Sequence, residues 1–179
     1  PAPVFKGNVF KHPDYVQLEA CYPELQSYTS AFKTYWLEGY HPLVGKDYIL
    51  DTPDVYVQNA IGHAHVEPQV KNPISYTSTD ACWKAWQAPD SESPVVPTSN
   101  SFLMYCVDEH RNACLLGYLD GGDRDSHEVI KTRSFRVTME LRSGSFYNRV
   151  PRSSPMPQSE HSELFGEGWL ADRIVDVHR

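Results

Sequence analysis

The sequence predicts one mixed helix-and-strand domain, and three observations carry that reading. Residues 102–120, FLMYCVDEHRNACLLGYLD, are two apolar stretches joined by a short polar turn, the pattern of a β-hairpin. Between residues 15 and 37, Val16, Leu18, Leu25, Tyr28, Phe32, Tyr35 and Trp36 fall largely at three- and four-residue spacing, the period of an amphipathic helix. Residues 55–66, VYVQNAIGHAHV, alternate β-branched and apolar residues over short distances, which reads as one or two strands. At 179 residues the chain fits a single domain and is long enough to bury a real core.

In order along the chain, the first helical stretch is interrupted near Pro23 and stops at Gly39. HPLVGKD then reads as a loop punctuated by Pro42 and Gly45, with Lys46 and Asp47 displayed at its end. The strand region follows, with His63 and His65 near its end and Pro68 to close the ladder. Residues 67–97 are rich in Pro, Ser, Thr and Asp and read as a long loop anchored by Trp83 and Trp86. Loops of that length are usually functional or mobile. Past the hairpin, GGDRDSH is a loop and residues 128–146 form a helix that buries Val129, Ile130, Val137 and Leu141. The domain thus spans residues 1–147, residues 148–162 are a linker, and residues 163–179 are a C-terminal segment that docks as a short helix or serves a partner.

Forty per cent hydrophobic residues and 11 Tyr argue for a folded chain, while 14 Pro imply long irregular connections. The formal charge of −7 excludes nucleic-acid binding by bulk electrostatics. Charge is unevenly placed, however: residues 124–152 carry seven Lys/Arg against three acids and the remainder is acidic, which reads as a solvated helix face or a patch for a polyanion. Cys21, Cys82, Cys106 and Cys114 have no CxxC spacing, so a zinc knuckle is disfavoured. With the hairpin turn centred on His110, Cys106 and Cys114 face each other across the strands, a placement that allows a disulfide and favours two reduced, buried thiols. No stretch is apolar enough to span a membrane and no signal-peptide pattern is present, so the expected location is cytoplasmic.

His63 and His65 are two apart, so on a strand both imidazoles leave the same face. Such a pair can transfer protons, bind a metal, or simply pack. Metal binding needs a third donor, and the acid that a cupin-like pattern would place four or five residues on is replaced by Gln69 and Val70. A centre of His63, His65 and His127 with an acid such as Asp47 is the metal alternative. As acids and bases, the histidines suit neutral pH. RNA cleavage needs a 2′-OH deprotonated, a phosphorane stabilised and a leaving oxygen protonated, and His63, His65, His127, Lys46 and Tyr105 offer candidates for each step. Nucleophile elbows, calcium loops and phosphate-cradling glycine loops are absent.

The ordered set YWLEGYHP, GKD, GHAHV, PTSN, FLMYCVD, NACLLGYLD and DSHEV resembles the YafO family of toxins from bacterial type II toxin–antitoxin modules, over about residues 35–129. The resemblance implies an α+β domain of the RelE-like group, with N-terminal helices packed on a central antiparallel sheet, a C-terminal helix and here an extra tail. It implies an endoribonuclease that cleaves messenger RNA on the ribosome, without metal or other cofactor, restrained by a cognate antitoxin. The family's recurrent polar residues fall on Gly45, Lys46, Asp47, His63, His65, Thr98, Ser99, Tyr105, Cys106 and His127. Histidines and Lys46 are then expected at the phosphate, Asp47 as the group orienting one of them, and Thr98, Ser99, Lys131, Arg133 and Arg136 against RNA. The chain departs from the family in having Asn100 where an Asp is common, in its enlarged 67–97 loop, in the long DGGDRDSH interval and in its C-terminal extension. A non-catalytic interaction module remains the contrasting expectation.

Overall fold

The computed structural model describes residues 3–69, 80–88, 90, 94–122 and 124–171. Five strands form one sheet: β1 (Val9–Lys11), β2 (Val44–Ile49), β3 (Ile61–Val66), β4 (Phe102–Val107) and β5 (Ala113–Leu119). Their order is β1-β5-β4-β3-β2, antiparallel throughout except for the parallel β1–β5 pair. The sheet is therefore mixed, not wholly antiparallel. Every residue of β3 and β4 is buried, because helices cover both faces, and central strands buried twice over read as continuous apolar runs.

On one face lie α1 (Pro13–Cys21) and α2 (Glu24–Glu38). They pack Tyr15, Leu25, Tyr28, Phe32 and Trp36 against Ala64, Leu103, Tyr105, Val107 and Leu115. Gly39 ends α2 at φ 80, a left-handed conformation natural only to glycine, and its N–H donates to Tyr35 O at 2.7 Å. On the other face α3 (Asp54–Gln58), α5 (Ser126–Lys131) and α6 (Arg133–Tyr147) bring Tyr56, Ile130, Met139 and Phe146 against Ile61, Phe102, Met104 and Cys106. The fold is α+β, with helices on both sides of the sheet. A further short helix, α4 (Asp80–Gln87), buries Trp83, so the 67–97 stretch is not irregular throughout.

Three expectations change. HPLVGKD is not a displaying loop: Val44–Ile49 is the edge strand β2, paired with β3. Residues 55–58, read as strand from their β-branched residues, belong to the helix α3, favoured by Asp54 in its first turn and by the buried Tyr56 that α3 supplies to the core. Residues 148–162 are not a loose linker, since Met156 is buried in the core, its N–H donates to Val107 O, and Pro155 bridges Asp108. A 3₁₀ turn at Gln158–Glu163 ends that stretch and a second at Glu167–Trp169 lies in the C-terminal segment, of which residues 172–179 lie outside the described set. The hairpin matches its expected register, with Cys106 opposite Cys114 and both thiols free and buried.

Candidate active site

β3 sends His63 and His65 to the α5 side of the sheet, and the first turn of α5 brings His127 over them. The imidazole centroids are 4.9 Å apart for His63–His65, 5.8 Å for His63–His127 and 5.7 Å for His65–His127. Phe102, opposite His65 on β4, lies against all three rings at 4.6 to 4.8 Å. On β2, Tyr48 pairs with His63 and meets its ring at 4.6 Å, and the Lys46 ammonium stands 5.3 Å from the Tyr48 ring. Lys46 and Tyr48 are exposed and the His127 side chain is 26% exposed, whereas His63 and His65 are 0% and 2% exposed. The cluster thus has a buried floor of two imidazoles and a rim of Lys46, Tyr48 and His127.

The position of His127 is set by a chain of backbone anchors. Asp125 caps α5 by accepting from His127 N at 2.9 Å, and its Oδ1 lies 3.5 Å from His127 Nδ1. Buried Asn100 fixes the approach to that cap. Its amide donates to Gly121 O and Arg124 O, its Oδ1 accepts from Ser126 N at 2.7 Å, and its carbonyl accepts from Ser126 Oγ. An aspartate could not donate those two bonds, which explains the asparagine physically. His65 Nδ1 sits 2.7 Å from Ser99 O and 3.0 Å from Ser99 N. Neither nitrogen of His63 has a hydrogen-bond partner.

Burial lowers all three imidazole pKa values. His63 falls to about 3, first through burial and then through His65 and His127, with Lys46 adding to the effect and the Tyr48 backbone opposing it. His65 falls to about 4 through burial, partly offset by its bond to Ser99. His127 is lowered by burial and supported by Asp125. Near neutral pH the buried pair is uncharged, each ring keeping one N–H donor and one lone pair.

Asp47 and Tyr105 do not join this cluster. Successive strand residues alternate faces, so Asp47 points away from Lys46 and Tyr48, towards α2. There it accepts from Tyr35 Oη at 2.9 Å and Tyr105 Oη at 2.5 Å. Burial raises its pKa to about 6 against those two hydroxyls and the Arg111 charge. The expected orienting role of Asp47 towards a histidine is corrected accordingly. Gly62 makes room for this arrangement, since a Cβ there would lie 2.7 Å from the Tyr105 hydroxyl. Arg111 is wholly buried, donates to the carbonyls of Lys6, Trp36 and Leu164, and stacks on Trp36 and Phe165. Burial pulls its pKa down to about 10.

Of the expected RNA contacts, Ser99 is buried and holds His65 through its backbone, while Thr98 is half-buried. Lys131 is exposed and bonded to Glu128, Arg133 is exposed, and Arg136 is half-buried. Within the basic segment, Arg142 is committed to Asp14 and Leu116 O, and Arg149 lies over Phe146 and Phe10. Tyr48, Phe102, Asn100 and Asp125 were not expected. Tyr48 was findable from its i+2 spacing to Lys46 once β2 is taken as a strand.

No family model, curated protein or solved structure matches this chain. Among the described residues, no helix is long and apolar enough to cross a membrane.

Proposed function

We propose that the chain is a toxin-type endoribonuclease that cleaves messenger RNA, acting on the ribosome and held in check by a cognate antitoxin. One observation carries the reading: Lys46, His63, His65 and His127, drawn from three separate elements, converge on one face of the sheet. The motif order that resembles the YafO toxins supports the substrate class. In this reading Lys46 holds the non-bridging oxygens of the scissile phosphate, and His127, steadied by Asp125, exchanges protons with the reacting oxygens. His63 and His65 are positioning residues behind it, because burial keeps them from the substrate. Exposed Arg124, Lys131 and Arg133 near α5 supply a local cationic surface. The ribosome presents the RNA, so an acidic chain needs only that local contact.

The test is expression in a bacterium. Induction should arrest growth and translation. His127→Ala or Lys46→Ala should relieve the arrest while circular dichroism stays unchanged, since a positioned acid or base contributes about 10²–10⁴-fold. Undiminished arrest in both variants overturns the proposal.

A further inference from the structure

We propose that His63, His65 and His127 form a binding site for a divalent transition-metal ion of the zinc class, held by three imidazole nitrogens. This goes beyond the ribonuclease reading and does not depend on it. One nitrogen from each ring lies within 4.8 Å of the others. Nitrogens bound to one tetrahedral ion stand roughly 3.4 Å apart, so modest ring rotations close the site. Two of the ligands stand on a central strand and the third on a capped helix, so the scaffold is rigid where a site needs it.

Three further observations point to an ion instead of a packed cluster. His63 is 0% exposed and both its nitrogens lack partners. An unpaired buried polar group is costly, and a metal bond would satisfy one of the two nitrogens. The other two histidines carry the outer contacts that metal-ligating imidazoles show: His65 Nδ1 lies 2.7 Å from Ser99 O, and His127 Nδ1 lies 3.5 Å from Asp125 Oδ1. The His65 contact engages Nδ1 and leaves that ring's Nε2 for an ion. The three rings also lie edge to face around Phe102, and the ligand group itself is all imidazole, with Asp125 outside it against His127 Nδ1.

The donor set fixes the class of ion. Neutral imidazoles without carboxylates suit zinc, cobalt, nickel or copper and not magnesium or calcium. Three protein ligands leave a fourth position, and the Lys46 charge nearby favours an anion there. An ion so held occupies the lone pairs that proton transfer would use, so loaded and metal-free chains differ in what this face can do.

The experiment is a Co²⁺ titration of the untagged, chelator-stripped 179-residue chain, followed by visible absorption. Saturation at one equivalent, with the intense bands of a tetrahedral site, displacement by Zn²⁺, and at least a tenfold weaker affinity in His63→Ala and His127→Ala are expected. His127→Ala serves as the second variant should His63→Ala fail to fold. No saturable absorption, or binding unchanged in the folded variants, overturns the site. Growth arrest is not part of this readout, so a failed ribonuclease reading leaves the result interpretable.

Discussion

Replacing Asp47 with asparagine isolates the energetics of a carboxylate buried between two tyrosines. The folded pKa of about 6 exceeds the ordinary 3.8 because burial outweighs the Tyr105 and Tyr35 hydrogen bonds and the Arg111 charge. Below pH 3.8 both folded and unfolded chains carry the proton, and the group is neutral with respect to stability. Between 3.8 and about 6 the unfolded chain has lost its proton while the folded chain retains it, so stability falls as pH rises. Above about 6 the penalty is constant at about 3 kcal/mol, the equivalent of the gap between the two values. Asp47→Asn removes the charge but keeps the shape. One tyrosine hydroxyl donates to the amide oxygen and the other accepts from the amide nitrogen.

Urea midpoints of both proteins, measured from pH 4 to pH 8, read the difference directly, because His161, Glu163 and every other group near Asp47 are common to both. The variant is expected to be about 1–3 kcal/mol more stable at pH 8, with the gain vanishing towards pH 4. It should also keep its growth arrest, because Asp47 faces away from the histidines. A variant at least about 1 kcal/mol less stable at pH 8, with the parent's pH slope retained, refutes the reasoning. It would mean that the Arg111 and tyrosine contacts outweigh burial.

Arg111→Met tests the neighbouring cation. It leaves the carbonyls of Lys6, Trp36 and Leu164 without a donor, and a loss of about 3–5 kcal/mol in chemical denaturation is expected; a loss below about 1 kcal/mol would show that water replaces the guanidinium. Asn100→Asp sets a carboxylate against Gly121 O and Arg124 O in place of two donated bonds, with an expected cost of about 2 kcal/mol or more. Because that clamp leads into the α5 cap, the variant should also weaken growth arrest beyond what its stability explains, and arrest that merely tracks stability removes Asn100 from the positioning of His127.

The central hairpin was legible because two physical signals agree there. Phe102–Val107 and Ala113–Leu119 are apolar, strand-forming runs, and the polar residues between them leave room for a tight connection. The break between α1 and α2 and the end of α2 were legible for a similar reason, since Pro23 and Gly39 act locally. β1 was not, because three residues, VFK, carry no period of their own and gain strand form only from β5. α3 misled in the opposite sense. Val55 and Val57 favour strands as isolated residues, yet the burial of Tyr56 and its hydroxyl bond to Ile130 O reward a helical turn.

The site turned on one such misreading. Taken as a loop, GKDY displays Lys46 and Asp47 together. Taken as an edge strand, it sends Lys46 and Tyr48 to the histidines and Asp47 to the tyrosines. The edge assignment was hidden because β2 mixes Gly45, Lys46 and Asp47, residues poorly suited to strands, with only Val44 and Ile49 to mark its buried ends. What holds it in the sheet lies elsewhere in the chain. β3 supplies the ladder, Pro97 accepts from Lys46 N, and the ring of Trp83 lies where a side chain at position 45 would stand. Pairing to a strand 13 to 22 residues away, with Trp83 and Pro97 closing over it, is a property of the folded surface and not of the hexapeptide. So the i+2 rule gave the histidine pair from β3 alone, whereas the division of labour between the two faces needed β2 to be seen as a strand first.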